Sequence, residues 1–147
     1  LISKIKQISP IPVAIITNSS LLIDEEGRRA LLNANLILPS LDAVIQDIFE
    51  KINQPVENFK IEDIIEGLIK LRREFRGKIW LEVMLVKGIN DNLGHIKKLK
   101  EAIDRINPDK IQLNSPVRTT SQDWVKPLER KALEKIKDIL GDKCEII

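Results

Sequence analysis

Short, fully apolar runs alternate along this chain with longer segments in which apolar residues recur at helical spacing. A strand is apolar along its whole length when both of its faces are covered, and this is typical of parallel sheets. Parallel neighbours need a crossover between them, which is usually a helix. The alternation therefore predicts an α/β fold, with a parallel sheet of about four to five strands joined by right-handed crossover helices.

The boundaries of the expected elements follow from the apolar spacing and from the Pro, Gly and Asn residues that interrupt it. Strands are predicted over Val13–Ile16, Leu36–Leu38, Ile79–Val86, Lys110–Leu113 and Cys144–Ile147. Helices are predicted over Ile2–Ile8, Asp24–Leu32, Leu41–Ile52, from Ile61 to a C′ residue at Gly77, Leu93–Ile106 and Leu128–Leu140. Two architectures fit this order, namely part of a (β/α) barrel and an open doubly wound sheet.

The composition agrees with a single α/β domain over residues 1–147, since 43% of the 147 residues are hydrophobic. The 24 basic and 22 acidic residues nearly balance, which argues against a strongly cationic nucleic-acid module but leaves room for a local patch. No apolar run approaches the roughly 18 residues that cross a bilayer, so we expect no membrane segment and a cytoplasmic location. Abundant Ile, Lys and Glu suggest a thermophilic source.

Cys144 and His95 are the only cysteine and the only histidine of the chain. A single cysteine excludes an internal disulfide, a Cys-based zinc site and an iron–sulfur ligand set within this sequence. We expect Cys144 to be a buried thiol. We expect His95 to lie on the surface of a helix, close to its start. No Gly-x-Gly-x-x-Gly follows the first strand and no Walker-type lysine loop is present, which disfavours a classical nucleotide-binding fold.

Polar side chains follow four of the predicted strands, at the edge where ligands bind in parallel α/β folds. The four stretches are Thr17–Ser19, Ser40–Asp42, Lys87–Asp91 and Asn114–Arg118. Each also suits a turn or a helix cap, as Ser40 or Asp42 does for the next helix. The repetition at one edge favours a binding site.

Each of three further side chains has two possible roles. Glu82 interrupts an apolar strand, and a buried carboxylate is costly unless it is paired, so it either binds a ligand or forms a structural ion pair. The same alternatives hold for Gln112 on its strand. The planar fork of Arg118 suits an anionic substrate, whereas a solvated surface arginine is the alternative.

The ordered segments resemble the later part of a radical S-adenosylmethionine (radical SAM) enzyme barrel. Thr17-Asn18-Ser19 resembles the family's Thr-Asn-Gly turn after its third strand, with Ser19 in place of the glycine. Leu38–Ala43, Leu85–Asn90 and Asp109–Arg118 resemble the fourth, fifth and sixth strands with their loops. The resemblance is closest to the branch of wyosine-type iron–sulfur oxidoreductases that modify tRNA.

This resemblance implies a partial (β/α)6 TIM-like barrel that uses S-adenosylmethionine and a [4Fe–4S] cluster in the intact protein, with tRNA or a small molecule as substrate. It implies cofactor contacts from Thr17, Asn18, Ser40, Asp42, Glu82, Gln112 and Asn114, and a substrate contact from Arg118. The family's Cys-x-x-x-Cys-x-x-Cys loop and its Gly-Glu-Pro-type motif are absent. We therefore expect a C-terminal fragment that holds no metal and is inactive by itself.

A partial barrel leaves the edge of its first strand without a neighbour. We expect the missing N-terminal part of the same barrel to be its partner, or self-association through that edge, or a cover formed by the N-terminal helix. Two other functions fit the sequence, a non-catalytic α/β interaction domain and a fragment of an ordinary (β/α) barrel metabolic enzyme. The glycine-rich phosphate loop expected of the latter is not seen.

Overall fold

The computed structural model describes residues 1–56, 59–117 and 122–147, and one five-stranded parallel sheet runs through them. The strands are β1 (Ala14–Thr17), β2 (Leu36–Pro39), β3 (Lys78–Met84), β4 (Lys110–Asn114) and β5 (Cys144–Ile146). The helices are α1 (Ile2–Ile8), α2 (Glu25–Leu31), α3 (Gln46–Asn53), α4 (Ile61–Glu74), α5 (Leu93–Ile106) and α6 (Arg130–Leu140), with a 3-10 turn at Ser20–Leu22. Within these ranges no helix combines the length and the apolar character needed to cross a membrane.

The strands lie in the sheet in the order in which they occur along the chain, and every neighbouring pair is parallel. Because crossovers between parallel strands are almost always right-handed, this strand order is expected to place the connecting helices on one face of the sheet. A doubly wound sheet requires a reversal of strand order, and none occurs in this sheet. The predicted α/β parallel fold is confirmed, and its form is that of a partial barrel.

The two faces of the sheet differ in burial. On β3, Ile79, Leu81 and Val83 are fully buried against the helices, while Trp80, Glu82 and Met84 alternate with them and are only half-buried. The same alternation on β4 leaves Lys110, Gln112 and Asn114 half-buried. We call the side that carries these half-buried residues the open face. The hydrophobic core therefore lies between the other face and the helices.

The helix predicted from Leu41 begins five residues later, at Gln46. The segment 41–45 is irregular and not helical, because two of its backbone N–H groups bond to other elements. Leu41 N–H donates to the carbonyl oxygen of Glu82 (2.9 Å), and Val44 N–H donates to His95 Nε2 (3.2 Å). The apolar spacing that predicted a helix here instead buries Leu41 and Ala43 in the core.

The prediction that Gly77 ends α4 as its C′ residue is wrong. The helix ends at Glu74, and Phe75 follows with extended backbone dihedrals. The Arg72 guanidinium donates to the carbonyl oxygens of Phe75 (2.5 Å) and Gly77 (3.1 Å), so a side chain satisfies the end of this helix. A glycine is needed at position 77 for close packing, because a Cβ there would lie 2.4 Å from the Phe75 ring.

Candidate functional site

Ser40, Glu82 and Asn114 lie together at the carboxyl ends of β2, β3 and β4, on the open face. Ser40 forms a parallel bridge with Glu82, and Asn114 lies in register with Met84, two residues beyond Glu82. Asn114 Nδ2 donates to Glu82 Oε1 (2.8 Å). These three side chains, which we call the Ser40–Glu82–Asn114 group, present a hydroxyl, a carboxylate and an amide to one side of the sheet.

The partner of Glu82 is an amide rather than a cation. Among the described residues, no lysine or arginine forms an ion pair with this carboxylate. The structural ion pair that the sequence left open is thus not seen in this part of the chain. A half-buried carboxylate with no cationic partner among the described residues can accept hydrogen bonds from a ligand.

Gln112 is the register partner of Glu82, but its amide is directed away from the Ser40–Glu82–Asn114 group. Its Nε2 donates to Glu145 Oε1 on β5 (3.3 Å), and Lys110 Nζ lies 3.1 Å from the same oxygen. Hydrogen bonds from Lys110 and then Gln112 lower the pKa of Glu145. Lys110 also lies 4.5 Å from the centre of the Trp80 ring. Gln112 therefore ties β4 to β5.

Thr17 and Asn18 build the turn after β1. Thr17 lies in register with Pro39, one residue before Ser40, and so belongs to the helix-facing side of the sheet. Its Oγ1 accepts from Ser19 N–H (3.2 Å). Asn18 Oδ1 accepts from Ser20 N–H (3.2 Å) and from Ser20 Oγ (2.8 Å). Neither side chain joins the Ser40–Glu82–Asn114 group, and their cofactor contacts remain a prediction.

Ser19 adopts the left-handed conformation, with φ of 71°, and is completely buried. This is the backbone region that glycine enters without strain, which agrees with the sequence expectation that serine here replaces a turn glycine. Ser19 Oγ donates to the carbonyl oxygen of Ser40 (2.7 Å). The hydroxyl thereby fastens the end of β1 to the end of β2, beside the candidate site.

Asp42 joins the ends of β2 and β3 from within the core, where it is 8% exposed. Its Oδ1 accepts from Met84 N–H (2.8 Å). Burial is the largest cause that raises the pKa of Asp42, which is about 6. The hydrogen bond from Met84 N–H lowers this pKa, the negative charge of Glu82 raises it, and a hydrogen bond from Asn53 lowers it. The Asp42 carboxylate is bonded to the backbone of Met84. Its contact with a cofactor stays a prediction.

Asn90 belongs to the polar stretch Lys87–Asp91 but not to the predicted cofactor contacts, and it holds the loops behind the site together. Its Nδ2 donates to the carbonyl oxygens of Asp42 (2.7 Å) and Met84 (2.9 Å). Its Oδ1 accepts from Val86 N–H (2.7 Å). Asn90 is fully buried, so these three bonds form without competition from water.

His95 is fully buried as well, and the prediction that it lies on the surface of its helix is wrong. Its Nε2 accepts from Val44 N–H (3.2 Å), so Nδ1 carries the proton and donates to the carbonyl oxygen of Asn90 (2.8 Å). Burial lowers the pKa of His95. The spacing to Leu99 and Ile106 on the apolar face of α5 was the available sequence signal.

Arg118 lies outside the described residues, so its substrate contact stays a prediction. The described part of the same loop is fastened to its neighbours by Ser115. Ser115 Oγ donates to the carbonyl oxygen of Leu85 (2.6 Å) and accepts from Leu128 N–H (2.8 Å). The loop after β4 is therefore anchored over the end of β3.

The described residues do not fit an iron–sulfur cluster. They contain no group of three or more His, Cys, Asp or Glu side chains that could hold a metal ion. Burial raises the pKa of the Cys144 thiol to about 11, so it remains protonated at neutral pH. A cluster of this kind requires several thiolates, whereas the sequence holds one cysteine.

No protein-family model matches this chain. A protein named GTPase Obg from Brachyspira hyodysenteriae is 43% identical over 146 residues, which are 99% of this chain and 22% of that protein. A UPF0026 protein from Methanocaldococcus jannaschii is 35% identical over 90% of this chain and 41% of its own length. The dual-specificity RNA methyltransferase RlmN from Oleidesulfovibrio alaskensis is 31% identical over 82% of this chain and 34% of its own. The chain thus spans less than half the length of these relatives.

Solved structures share the fold at low sequence identity. A domain of a pyruvate-formate lyase-activating enzyme from Bacteroides vulgatus has a TM-score of 0.78 and 19% identity, over 99% of this chain and 88% of that one. A radical SAM methyltransferase from Sphaerobacter thermophilus has a TM-score of 0.72 and 16% identity, over 91% and 39%. SuiB from Streptococcus suis, solved with S-adenosylmethionine, has a TM-score of 0.66 and 16% identity, over 100% and 35%.

Proposed function

Because this chain has the fold of the later strands of a radical SAM barrel, as its sequence predicted, we propose that it forms the S-adenosylmethionine-binding wall of an enzyme of that superfamily. The observation that carries this proposal is the Ser40–Glu82–Asn114 group on the open face. A hydroxyl, a carboxylate and an amide together match the hydroxyls of a ribose and the ammonium of an amino acid.

In this proposal, the residues of this chain bind and orient S-adenosylmethionine, and a cluster held by residues outside the chain would supply the one-electron chemistry of the family. Glu82 accepts hydrogen bonds from ligand hydroxyls or from an ammonium group. Asn114 fixes the orientation of that carboxylate through its bond to Oε1. Asn90 and His95 hold the loops that carry Asp42 and Val44.

We propose further that residues outside this chain supply the cluster ligands. The match covers 22% of one relative and 41% of another, which leaves most of each relative's length for such residues. Because we propose that the cluster ligands lie outside it, we expect the 147-residue chain to be inactive by itself. The chain covers 22% of the protein named GTPase Obg, and its sequence contains no Gly-x-x-x-x-Gly-Lys-[Ser/Thr] loop of the kind that binds a nucleoside triphosphate.

After anaerobic reconstitution with iron and sulfide, the chain is expected to retain no iron. The physical reason is that its one thiol is buried and protonated. Iron analysis and the absorbance near about 400 nm, where thiolate-bound clusters absorb, provide the measurement. Retention of about one cluster per chain would contradict the proposal that the ligands lie elsewhere.

Glu82→Gln is expected to weaken the binding of S-adenosylmethionine to the chain about tenfold. A hydrogen bond to the charged carboxylate is about 1.5 kcal/mol stronger than the bond that the neutral amide of glutamine would form. The substitution removes the charge and with it this difference. Titration calorimetry with S-adenosylmethionine measures the change. Glu101→Gln, an exposed position on α5, is the matched control and should bind like the parent chain.

Absence of saturable binding to the parent chain would favour the non-catalytic interaction domain instead. Equal weakening by both variants would show that Glu82 acts only through the net charge. For the substrate of the intact enzyme we propose RNA, because relatives at 31% and 33% identity are named RNA methyltransferases.

A further inference from the structure

Positive charge is concentrated in one short segment of this nearly neutral chain. Residues 70–78 contain two lysines, three arginines and one glutamate, which gives a formal charge of +4. Since the whole chain has a net charge of +2, the remaining residues together carry −2. Glu74, the acidic member, is engaged by Arg28 at 3.1 Å. The segment runs from the last turns of α4 to the first residue of β3.

The fold brings a cation from another part of the chain to this segment. A cleft of about 340 Å³ opens at the amino-terminal ends of β3, β4 and β5. Four cationic side chains, from Arg72, Arg76, Lys78 and Lys143, line it together with one carboxylate, that of Asp109. We call this the basic cleft. Its lining carries a formal charge of +3.

The single carboxylate of the basic cleft is already engaged. Asp109 accepts from Arg72 Nη1 (2.9 Å), from Lys78 Nζ (3.1 Å) and from Ile79 N–H (2.9 Å). Burial acts to raise the pKa of Asp109, but the Ile79 bond and the neighbouring Lys78 and Arg72 lower it overall. The carboxylate therefore remains ionised and holds the two cations in place, while their combined charge exceeds its own.

Lys143 contributes a charge that the cleft does not neutralise. Its Nζ donates to Asn107 Oδ1 (2.8 Å) and to the carbonyl oxygen of Pro108 (3.0 Å), which are both uncharged acceptors. Arg76 is exposed at the rim. By contrast, an adjoining cleft of about 350 Å³, which shares Lys143 with the basic cleft, has no net formal charge, because Asp104 and Asp142 balance Lys100 and Lys143. An anion is therefore attracted to the basic cleft in preference to its neighbour.

We propose that the basic cleft binds the phosphodiester backbone of RNA. Arginine forks and lysine ammonium groups are the side chains that hold phosphate. Four of them, three from the α4–β3 region and one from the α6–β5 loop, match successive phosphates better than one would. A membrane surface fits less well, because none of the exposed large apolar side chains in the described ranges lines the cleft.

The basic cleft lies at the opposite edge of the sheet from the candidate site. On β3, Lys78 of the basic cleft and Glu82 of the candidate site are four residues apart, which is about 13 Å at about 3.3 Å per residue. A chain of nucleotides held at the amino-terminal edge would thus be anchored away from the reacting position. The inference deepens the proposed function, and the choice of RNA as the polyanion rests on it.

The test is fluorescence anisotropy with a fluorescein-labelled single-stranded oligouridine of about 20 nucleotides, titrated with the 147-residue chain at salt concentrations from about 50 to 200 mM. Arg76→Gln combined with Lys143→Gln should weaken binding about tenfold at the lowest salt. The slope of log affinity against log salt should fall by about 1.4, since each contact to a single strand contributes about 0.7.

Lys131→Gln combined with Lys135→Gln makes the same change of charge on the exposed side of α6 and should leave binding within about twofold of the parent chain. Arg76→Gln alone, which leaves the bonds of Lys143 intact, should lower the slope by about 0.7 and guards against misfolding of the double variant.

The proposal would be overturned if Lys131→Gln combined with Lys135→Gln weakened oligouridine binding as much as Arg76→Gln combined with Lys143→Gln does. It would also be overturned if the parent chain did not bind the oligouridine. Binding to phosphatidylserine vesicles without binding to oligouridine would overturn it in favour of a membrane surface. Titration with S-adenosylmethionine separates this inference from the proposed function. The double variant should bind S-adenosylmethionine normally, and a parent chain that binds oligouridine but not S-adenosylmethionine would reject the proposed function alone.

Discussion

Asn90→Ala is expected to lower the free energy of unfolding by about 4 kcal/mol. The side chain is fully buried and makes three hydrogen bonds to backbone groups. Alanine would leave the N–H of Val86 and the carbonyl oxygens of Asp42 and Met84 without their partner. Each buried polar group that loses its partner costs about 1–3 kcal/mol, and the cavity adds to this cost.

Urea denaturation followed by circular dichroism measures this change. Asn33→Ala is the matched control, because Asn33 is exposed and its side chain donates one bond, to Ser3 Oγ (2.9 Å). The control should change the free energy of unfolding by less than about 0.5 kcal/mol. A loss below about 1.5 kcal/mol for Asn90→Ala would mean that the loops behind the candidate site are held mainly by other contacts.

Asp42→Asn is expected to raise the free energy of unfolding by about 3 kcal/mol at about pH 7. The pKa of this carboxyl is about 6 in the folded chain, against an ordinary value of 3.8, because burial disfavours its charge. Asparagine keeps the oxygen that accepts from Met84 N–H and carries no charge to bury. The gain is therefore the net cost of ionising Asp42 in the folded chain, where burial outweighs the hydrogen bonds from Met84 and Asn53.

The effect has a defined pH dependence. Below the ordinary pKa, Asp42 is protonated in both states and the penalty is absent. As the pH rises from about 4 to about 6, the unfolded chain loses this proton before the folded chain does, so its contribution to stability falls. Above about pH 6 the penalty is constant. The difference between Asp42→Asn and the parent chain should therefore grow from near zero at about pH 4 to its full value near pH 7.

Urea denaturation of both chains across this range tests the prediction. Asp138→Asn, at an exposed position on α6, should give a difference of less than about 0.5 kcal/mol at every pH. A difference for Asp42→Asn that does not vary with pH would show that burial of its charge does not limit stability. Because His95 is the same in both chains, its own titration cancels from the comparison.

The periodic pattern was sufficient for most elements. The predicted α5 agrees with the structure at both of its ends, and each of the five predicted strands is present within a few residues. These elements are determined by the burial of alternating or helically spaced side chains, which is a local property of the sequence. The segment 41–45 was mistaken for helix because contacts to Glu82 and His95, distant in sequence, take up its backbone N–H groups.

The candidate site was only partly predictable. Of the predicted cofactor contacts, the structure brings Ser40, Glu82 and Asn114 together, because the ends of parallel strands share one edge, and their contact with a cofactor stays a prediction. Thr17 and Asp42 stood at the same edge in sequence, yet the first lies on the helix-facing side and the second is engaged within the core. Which way a residue points after a strand ends depends on loop geometry, and apolar spacing carries no information on that.

The sequence by itself determined the fold class, the parallel arrangement of the strands and the absence of a cysteine ligand set, since these follow from local periodicity and from composition. Only the tertiary structure decided that Asn90 and His95 are buried, that Glu82 is bonded to an amide, and that Lys143 joins the basic segment after α4. The physical reason is that each of these facts depends on contacts between residues far apart in the chain. Such contacts are set by the packing of the strands and helices, and not by any one segment.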